Sequence, residues 1–320
     1  MSEMIPAFDW QRVVLDPWTV HFSVTFWIVL MGFFVNASCG MVGTFLLLRR
    51  MALIGDAISH SILFGLVTVF FLFKTVSTPM VFLGAVGAGL LTAGMIEFIH
   101  RQSRVKPDAA ICIAFTTLFA LGVVISSIAE LQGSVHIDAE CVLYGEIGFV
   151  PLEAPVIIGG ISLGPPSVLR MGFVLLAVLV AIALFYKELL VTSFDPGFAR
   201  SIGMKTGAWH YAIMAVLSVV IVSAFEAVGA ILAIAMLVVP PMFAAHLAQR
   251  LPVRLVWCMI HAALASIVGY HLSLWLDCST AGAMVVASAA LFTAVWLFDL
   301  ANRAIVPRGR SPFNPSRSPC

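Results

Sequence analysis

The feature that most limits what this chain can fold into is a succession of apolar runs, each near the ~20 residues a helix needs to cross a bilayer. They fall near 20–48, 52–73, 78–99, 109–129, 171–189, 209–225, 228–248, 254–275 and 280–300. Only 10% of the residues are charged and 61% are hydrophobic, whereas a soluble domain carries about 25% charged residues. The expected fold is an all-α, polytopic transmembrane bundle of about nine spans, or eight. The first run exceeds one crossing, so it tilts or begins outside the membrane. Residues 209–248 are too long for one span and are interrupted at FEAVGA, where Glu226 and Gly229 mark a hairpin or a broken helix.

Lysine and arginine placement sets the expected orientation. With Arg49 and Arg50 inside, nine spans leave only Arg12, Lys74 and Arg170 of the 17 Lys and Arg residues outside. Residues 1–19 then form an external N-terminal segment, 20–304 the transmembrane domain, and 305–320 a Pro/Ser-rich, disordered cytoplasmic tail. The start, MSEMIPAFDWQRVVLDPW, lacks a basic n-region and a small-residue cleavage site, so the first apolar segment is expected to be retained. Residues 130–170 are rich in acids, prolines and glycines and read as an external loop with one short helix, re-entrant or not. The six cysteines form no CxxC and imply no zinc site. Cys141 and Cys278 both fall outside on this topology, which leaves a disulfide between them open. The net charge of +1 points to no nucleic-acid partner.

The second run opens RRMALIGDAISHSILFG, with Asp56 and His60 inside it. Burying an ionisable group in hydrocarbon costs roughly 2.5–3.5 kcal/mol even on lenient insertion scales, and such groups tend to be functional. Four residues apart, the two share one helix face. A helix starting near Met51 places them ~7 and ~13 Å into the membrane. An oxygen and an imidazole nitrogen suit first-row divalent metals. The plainer reading is a helix-start aspartate beside a histidine bonded to its own face. Glu226 is the best-placed further carboxylate; it is either a third ligand or a solvated group at the external interface. His210 and His246 sit near span ends, His261 and His271 in or beside the eighth span, and His136 in the acidic loop. GAVGAGLLTAG, Gly84–Gly94, reads as a surface for close helix packing.

After the fifth run comes SFDPGFARSIGMKTGAWHY, with an Asp-Pro turn and a short helical stretch over Gly197–Ile202. A short polar helix there is a natural docking element for a soluble partner. GMKTG does not satisfy GxxxxGK[ST], because Met204 separates Gly203 from Lys205, so any ATP is bound by another chain.

RRMALIGDAISHSILFG, SFDPGFARSIGMKTGAWHY and SFEAVGAILAIAMLVVPPMFAAHL occur in the order and at the separations found in the permeases of metal-importing ABC transporters, and the chain resembles that family over about residues 20–300. DAECVLYGEIGFVPL further resembles its manganese- and iron-type members. The resemblance implies a type II-like importer fold in which Asp56 and His60 bind metal on the translocation path. It implies that Phe194, Asp195, Ala199 and Gly203 dock the ATPase and that AVGAILAIAMLVVPP lines and gates the path. Pro241 departs from the small residue usual after the first proline. The partners implied are cytoplasmic ATP-binding subunits, an extracytoplasmic metal-binding protein and a second permease, identical or paralogous. No cofactor is permanently bound, and the chain is not itself an enzyme. The cargo is manganese first, with zinc or iron as alternatives, in a cell or inner membrane. Metal capture should weaken as His60 takes up a proton, since a ligand must present a free nitrogen. The rival reading is a proton- or sodium-coupled secondary transporter relaying through Asp56, His60 and Glu226. An intramembrane metalloenzyme fits poorly, because D-x3-H is not HExxH.

Overall fold

A computed structural model describes residues 6–73, 78–131, 147–158 and 161–305. All nine apolar runs are helical in it. They are α1 (Phe22–Leu48), α2 (Leu53–Phe73), α3 (Thr78–Gln102), α4 (Pro107–Leu131) and α5 (Pro166–Leu184), then α8 (Thr206–Val228), α9 (Ala230–Leu247), α10 (Leu251–Leu276) and α11 (Thr280–Ile305). Two short helices, α6 (Tyr186–Phe194) and α7 (Pro196–Ser201), join α5 to α8. Among the described residues, eight helices are long and apolar enough to cross a bilayer. The remaining one of the nine, α9, has 18 residues and carries Pro240 and Pro241 within it.

Helix α1 is the centre of the bundle. It has no polar face, so no side of it gains from meeting water. Every residue from Val35 to Leu46 is buried, with α5, α8, α9 and α10 packed around it. Apolar side chains gain nothing over lipid by meeting each other, so close approach of backbones must hold the helices together. A Cβ on Gly43 would lie 1.9 Å from the Leu237 carbonyl oxygen of α9, and one on Gly40 2.6 Å from Cys258 Sγ of α10. A Cβ on Gly65 of α2 would lie 2.4 Å from the Gly84 carbonyl oxygen of α3. The glycine-rich stretch of α3 packs as expected at Gly84 and at Gly89, which meets Ser218 of α8, but Gly87 and Gly94 face open space.

The structure departs locally from the sequence reading in two places and breaks the 209–248 run as expected. Helix α5 starts at Pro166, five residues before the expected 171, because proline at the first helical position loses nothing. Glu153 accepts from Ser167 N at 3.1 Å and Ser167 Oγ at 2.8 Å, capping that end from outside the helix. Residues 147–164 hold a helical turn, Ile147–Leu152, and an antiparallel pair, β1 (Val156–Ile158) and β2 (Ile161–Gly164), which the sequence reading did not include. The long 209–248 run breaks at Gly229, whose φ of +75° only glycine adopts freely. Glu226 remains inside α8.

The N-terminal segment is held to α10. Trp18 Nε1 donates to His271 Nε2 at 3.1 Å, His271 Nδ1 donates to the Val13 carbonyl at 2.8 Å, and Trp275 Nε1 donates to the Pro6 carbonyl at 3.0 Å. Residues 306–320, with the tail and Cys320, lie outside the described residues, as do His136 and Cys141.

Gly43→Ala should lower thermal stability in detergent by about 1–3 kcal/mol, the usual penalty of overpacking, because α9 must retreat from α1. Gly87→Ala, with open space around it, should leave the unfolding temperature unchanged.

Candidate functional site

Helix α2 buries every residue from Ile54 to Leu63 except two, Asp56 and His60. Their side chains keep 36% and 31% of their surface exposed. Asp56 lies in the first turn, where the helix dipole favours a negative charge. The i,i+4 spacing brings His60 Nε2 to 3.2 Å from Asp56 Oδ1. So the two groups meet each other, and both stay reachable from one side. The other side of the imidazole is walled by α4: Phe115 stacks on it at 5.5 Å and Phe119 meets it edge-on at 6.0 Å. These rings were not identified from sequence. Their own i,i+4 spacing was the only signal, and it does not say which helix they face.

One carboxylate and one imidazole on adjacent turns are a chelating pair of the kind two histidines make at i,i+4 in metalloproteases. Among the described residues no group of three or more His, Cys, Asp or Glu comes together, so within them Asp56 and His60 stand as a pair. The Glu226 side chain is not among those described. Three other described histidines are engaged elsewhere. His210 Nε2 lies 3.7 Å from Glu97 Oε2 of α3, which also pairs with Arg101. His246 Nδ1 lies 3.2 Å from Asp299 Oδ2 of α11. His261 is fully buried and its Nε2 donates to the Ser288 carbonyl at 3.2 Å. An apolar cavity of about 380 Å³ lies between α1, α5, α6 and α8, walled by Phe45, Ile182, Phe185 and Trp209. It offers no ligand to a metal. Cys278 is exposed.

The expected short helix after the fifth run is α7, and it is capped at both ends by its own sequence. Asp195 Oδ1 accepts from Phe198 N at 2.9 Å, and Pro196 opens the helix. At the other end Met204 N bonds to the Ala199 carbonyl and Gly203 N to the Arg200 carbonyl, each at 3.0 Å. This closing motif needs a left-handed residue, and Gly203 supplies it with φ +84°. Ala199 is fully buried beneath the helix, while Phe194, Phe198 and Ile202 are 57%, 55% and 54% exposed. Asp195, Ala199 and Gly203 thus build the helix, and three exposed apolar side chains flank it: Phe194 at the end of α6, Phe198 within α7 and Ile202 just after it.

Three comparisons bear on this arrangement. A family model described as ABC 3 transport family matches residues 21–299. The manganese transport system membrane protein MntD of Bacillus subtilis is 39% identical over 285 residues, covering 89% of this chain and 95% of that protein. The zinc transport system membrane protein TroD of Treponema pallidum is 41% identical over 276 residues, covering 86% of this chain and 74% of that one. Among solved structures, PsaBC from Streptococcus pneumoniae in complex with Fab superposes with a TM-score of 0.71 at 29% identity, covering 89% of this chain and 94% of that chain.

Asp195→Ala should cost α7 about 1 kcal/mol, the usual value of an N-cap. Hydrogen exchange at the Phe198 amide should then speed up about fivefold, with the amides of α8 unaffected.

Proposed function

This chain belongs to the ABC 3 transport family, the membrane permeases of metal-importing ABC transporters, and from that premise we propose how it moves its cargo. Asp56 and His60 hold the ion in transit. The observation that carries this is their isolation: on an otherwise buried stretch of α2, the one carboxylate and the one imidazole are the residues left open. A second permease, identical or paralogous, covers that open face and brings its own carboxylate and imidazole, so the two chains together offer four donors. Glu226, at the last turn of α8, is the further candidate carboxylate.

Manganese is the first choice of cargo. Hard oxygen and borderline nitrogen donors without thiolate suit it, and a relative named for manganese transport matches over nearly its whole length. Zinc outbinds manganese at most such sites, and another relative is named for zinc. Selectivity therefore lies in the geometry of the paired site and in the extracytoplasmic protein that delivers the ion.

The apolar face of α7 is the contact for the cytoplasmic ATP-binding subunit. Phe194 and Phe198 are the anchors, as exposed aromatics commonly are at interfaces. The lysine and arginine distribution supports an orientation with that face, Arg49 and the C-terminal tail in the cytoplasm and the N-terminal segment outside. ATP binding and hydrolysis in the partner then open the path past Asp56 and His60 first to one side and then to the other.

Reconstitution with the ATP-binding subunit in proteoliposomes tests this. Asp56→Ala and His60→Ala should each cut ATP-dependent manganese uptake by more than about tenfold, since even outer-shell changes at metal sites cost that much, with membrane insertion intact. Full uptake by both variants overturns the site. Uptake without any ATPase would point instead to a secondary transporter. Phe194→Ala with Phe198→Ala should weaken co-purification of the ATP-binding subunit by about tenfold or more.

A further inference from the structure

Helix α1 gives way to α2 in four residues, and the corner is rigid. Arg50 is left-handed, at φ +58°, in the place where a glycine usually closes a helix. Met51 N bonds to the Leu46 carbonyl at 3.0 Å and Arg50 N to the Leu47 carbonyl at 3.1 Å. From this corner the Arg49 guanidinium reaches across to the last turn of α6. Its Nη2 donates to Thr192 Oγ1 at 2.9 Å and its Nε to Ser193 Oγ at 3.2 Å. Both partners are buried. Thr192 Oγ1 in turn donates to the Glu188 carbonyl at 2.7 Å, so each bond in the chain polarises the next.

What lies on either side of this bridge gives it meaning. Ser193 is followed by Phe194, an outward apolar residue, and by Asp195, the cap of α7. Arg49 precedes by one helical turn the start of α2 at Leu53, and Asp56 lies in that helix's first turn. The far end of the docking segment is tied to the same half of the bundle. His210, early in α8, faces Glu97 of α3, and α3 is locked to α2 through Gly65 and Gly84.

We propose that Arg49 is the coupling strut of this transporter, a positioning residue that fixes the Asp56–His60 helix to the ATPase-docking helix so that movement of one carries the other. This rests on the reading of α7 as the ATPase contact. Arg suits the task because its planar fork reaches two hydroxyls at once and holds them in one geometry, which a single ammonium on a flexible stem does not. Its charge alone would satisfy the preference for basic residues at that end of the membrane, but charge alone does not explain why the side chain turns inward to two buried hydroxyls.

The readout is metal imported per ATP hydrolysed, in proteoliposomes containing the full complex. A merely structural residue would lower both quantities together and leave their ratio unchanged. Arg49→Gln, and separately Thr192→Val with Ser193→Ala, should lower the ratio about tenfold, within the range of couplings between distant sites. Co-purification of the ATP-binding subunit should stay unchanged in both. The hydroxyl variant keeps the charge of Arg49 and therefore its effect on topology, so it tests the bonds themselves. Combining all three substitutions should lower the ratio no further, because one link is being removed. An unchanged ratio in the hydroxyl variant overturns the strut and leaves the docking reading standing. Failure of the unsubstituted chain to retain the ATP-binding subunit overturns both.

Discussion

Hydrocarbon offers a polar group no partner, and much of this structure follows from how most of them are provided for. Many hydroxyls within the spans bond back to their own helices. Thr44 donates to the Gly40 carbonyl, Thr92 to Ala88 and Ser266 to Ala262, each at 2.7–2.8 Å. Such back-bonding is the local alternative that serine and threonine always carry. A carboxylate donates nothing to a backbone carbonyl, so Asp56 lacks this option, and His60 lies one turn along the same face. Asp56 and His60 therefore bond to each other and keep an open side. Asn36 and the Thr68, Ser218 and Ser288 hydroxyls are buried without a hydrogen-bond partner among the described residues.

The same solvent removes the drive that assembles a soluble core, and glycine replaces it. Contacts at Gly40 and Gly43 clamp α9 and α10 onto α1, and contacts between Gly65 and Gly84 clamp α2 onto α3. Side-chain bulk would separate these backbones and forfeit dispersion contacts that lipid does not fully replace. The result is a rigid frame in which the exposed stripe of α2 is fixed against α4 and its phenylalanine rings. A rigid frame also lets a small shift at one end be felt at the other, since packed helices deform in discrete steps rather than continuously.

Sequence patterns revealed the helices because the signal for a span is local and cumulative. Nine apolar runs became nine helices, with ends displaced where a local rule was overlooked. Pro165 and Pro166 read as a breaker but begin α5. The triplets Val156–Ile158 and Ile161–Leu163 around Gly-Gly were a hairpin signal hidden inside a region judged by its acids and prolines. Asp56 and His60 were legible because their relation is a spacing within one helix. Their aromatic wall was not, because Phe115 and Phe119 belong to another helix. The bonds of Arg49 span 143 and 144 residues, and no periodicity records a contact of that range. Gly203 was read as part of a docking loop, and the structure gives it a more specific task, closing α7.

A chelating pair, rather than a complete ligand set, is what a carrier needs. A site that filled the coordination sphere of a divalent ion from one chain would bind it too tightly to let it go, and conduction requires binding favourable enough to enter and weak enough to leave. On the proposed reading each permease contributes two donors, so the number of ligands around the ion depends on how closely the two α2 helices approach. Affinity then becomes a function of conformation, and a ligand shifts an equilibrium only by its differential affinity for the two states. The open face of α2 supplies that dependence directly. On that reading the donors sit on a helix edge that one chain leaves uncovered, so separation of the two permeases would halve the site and release the ion.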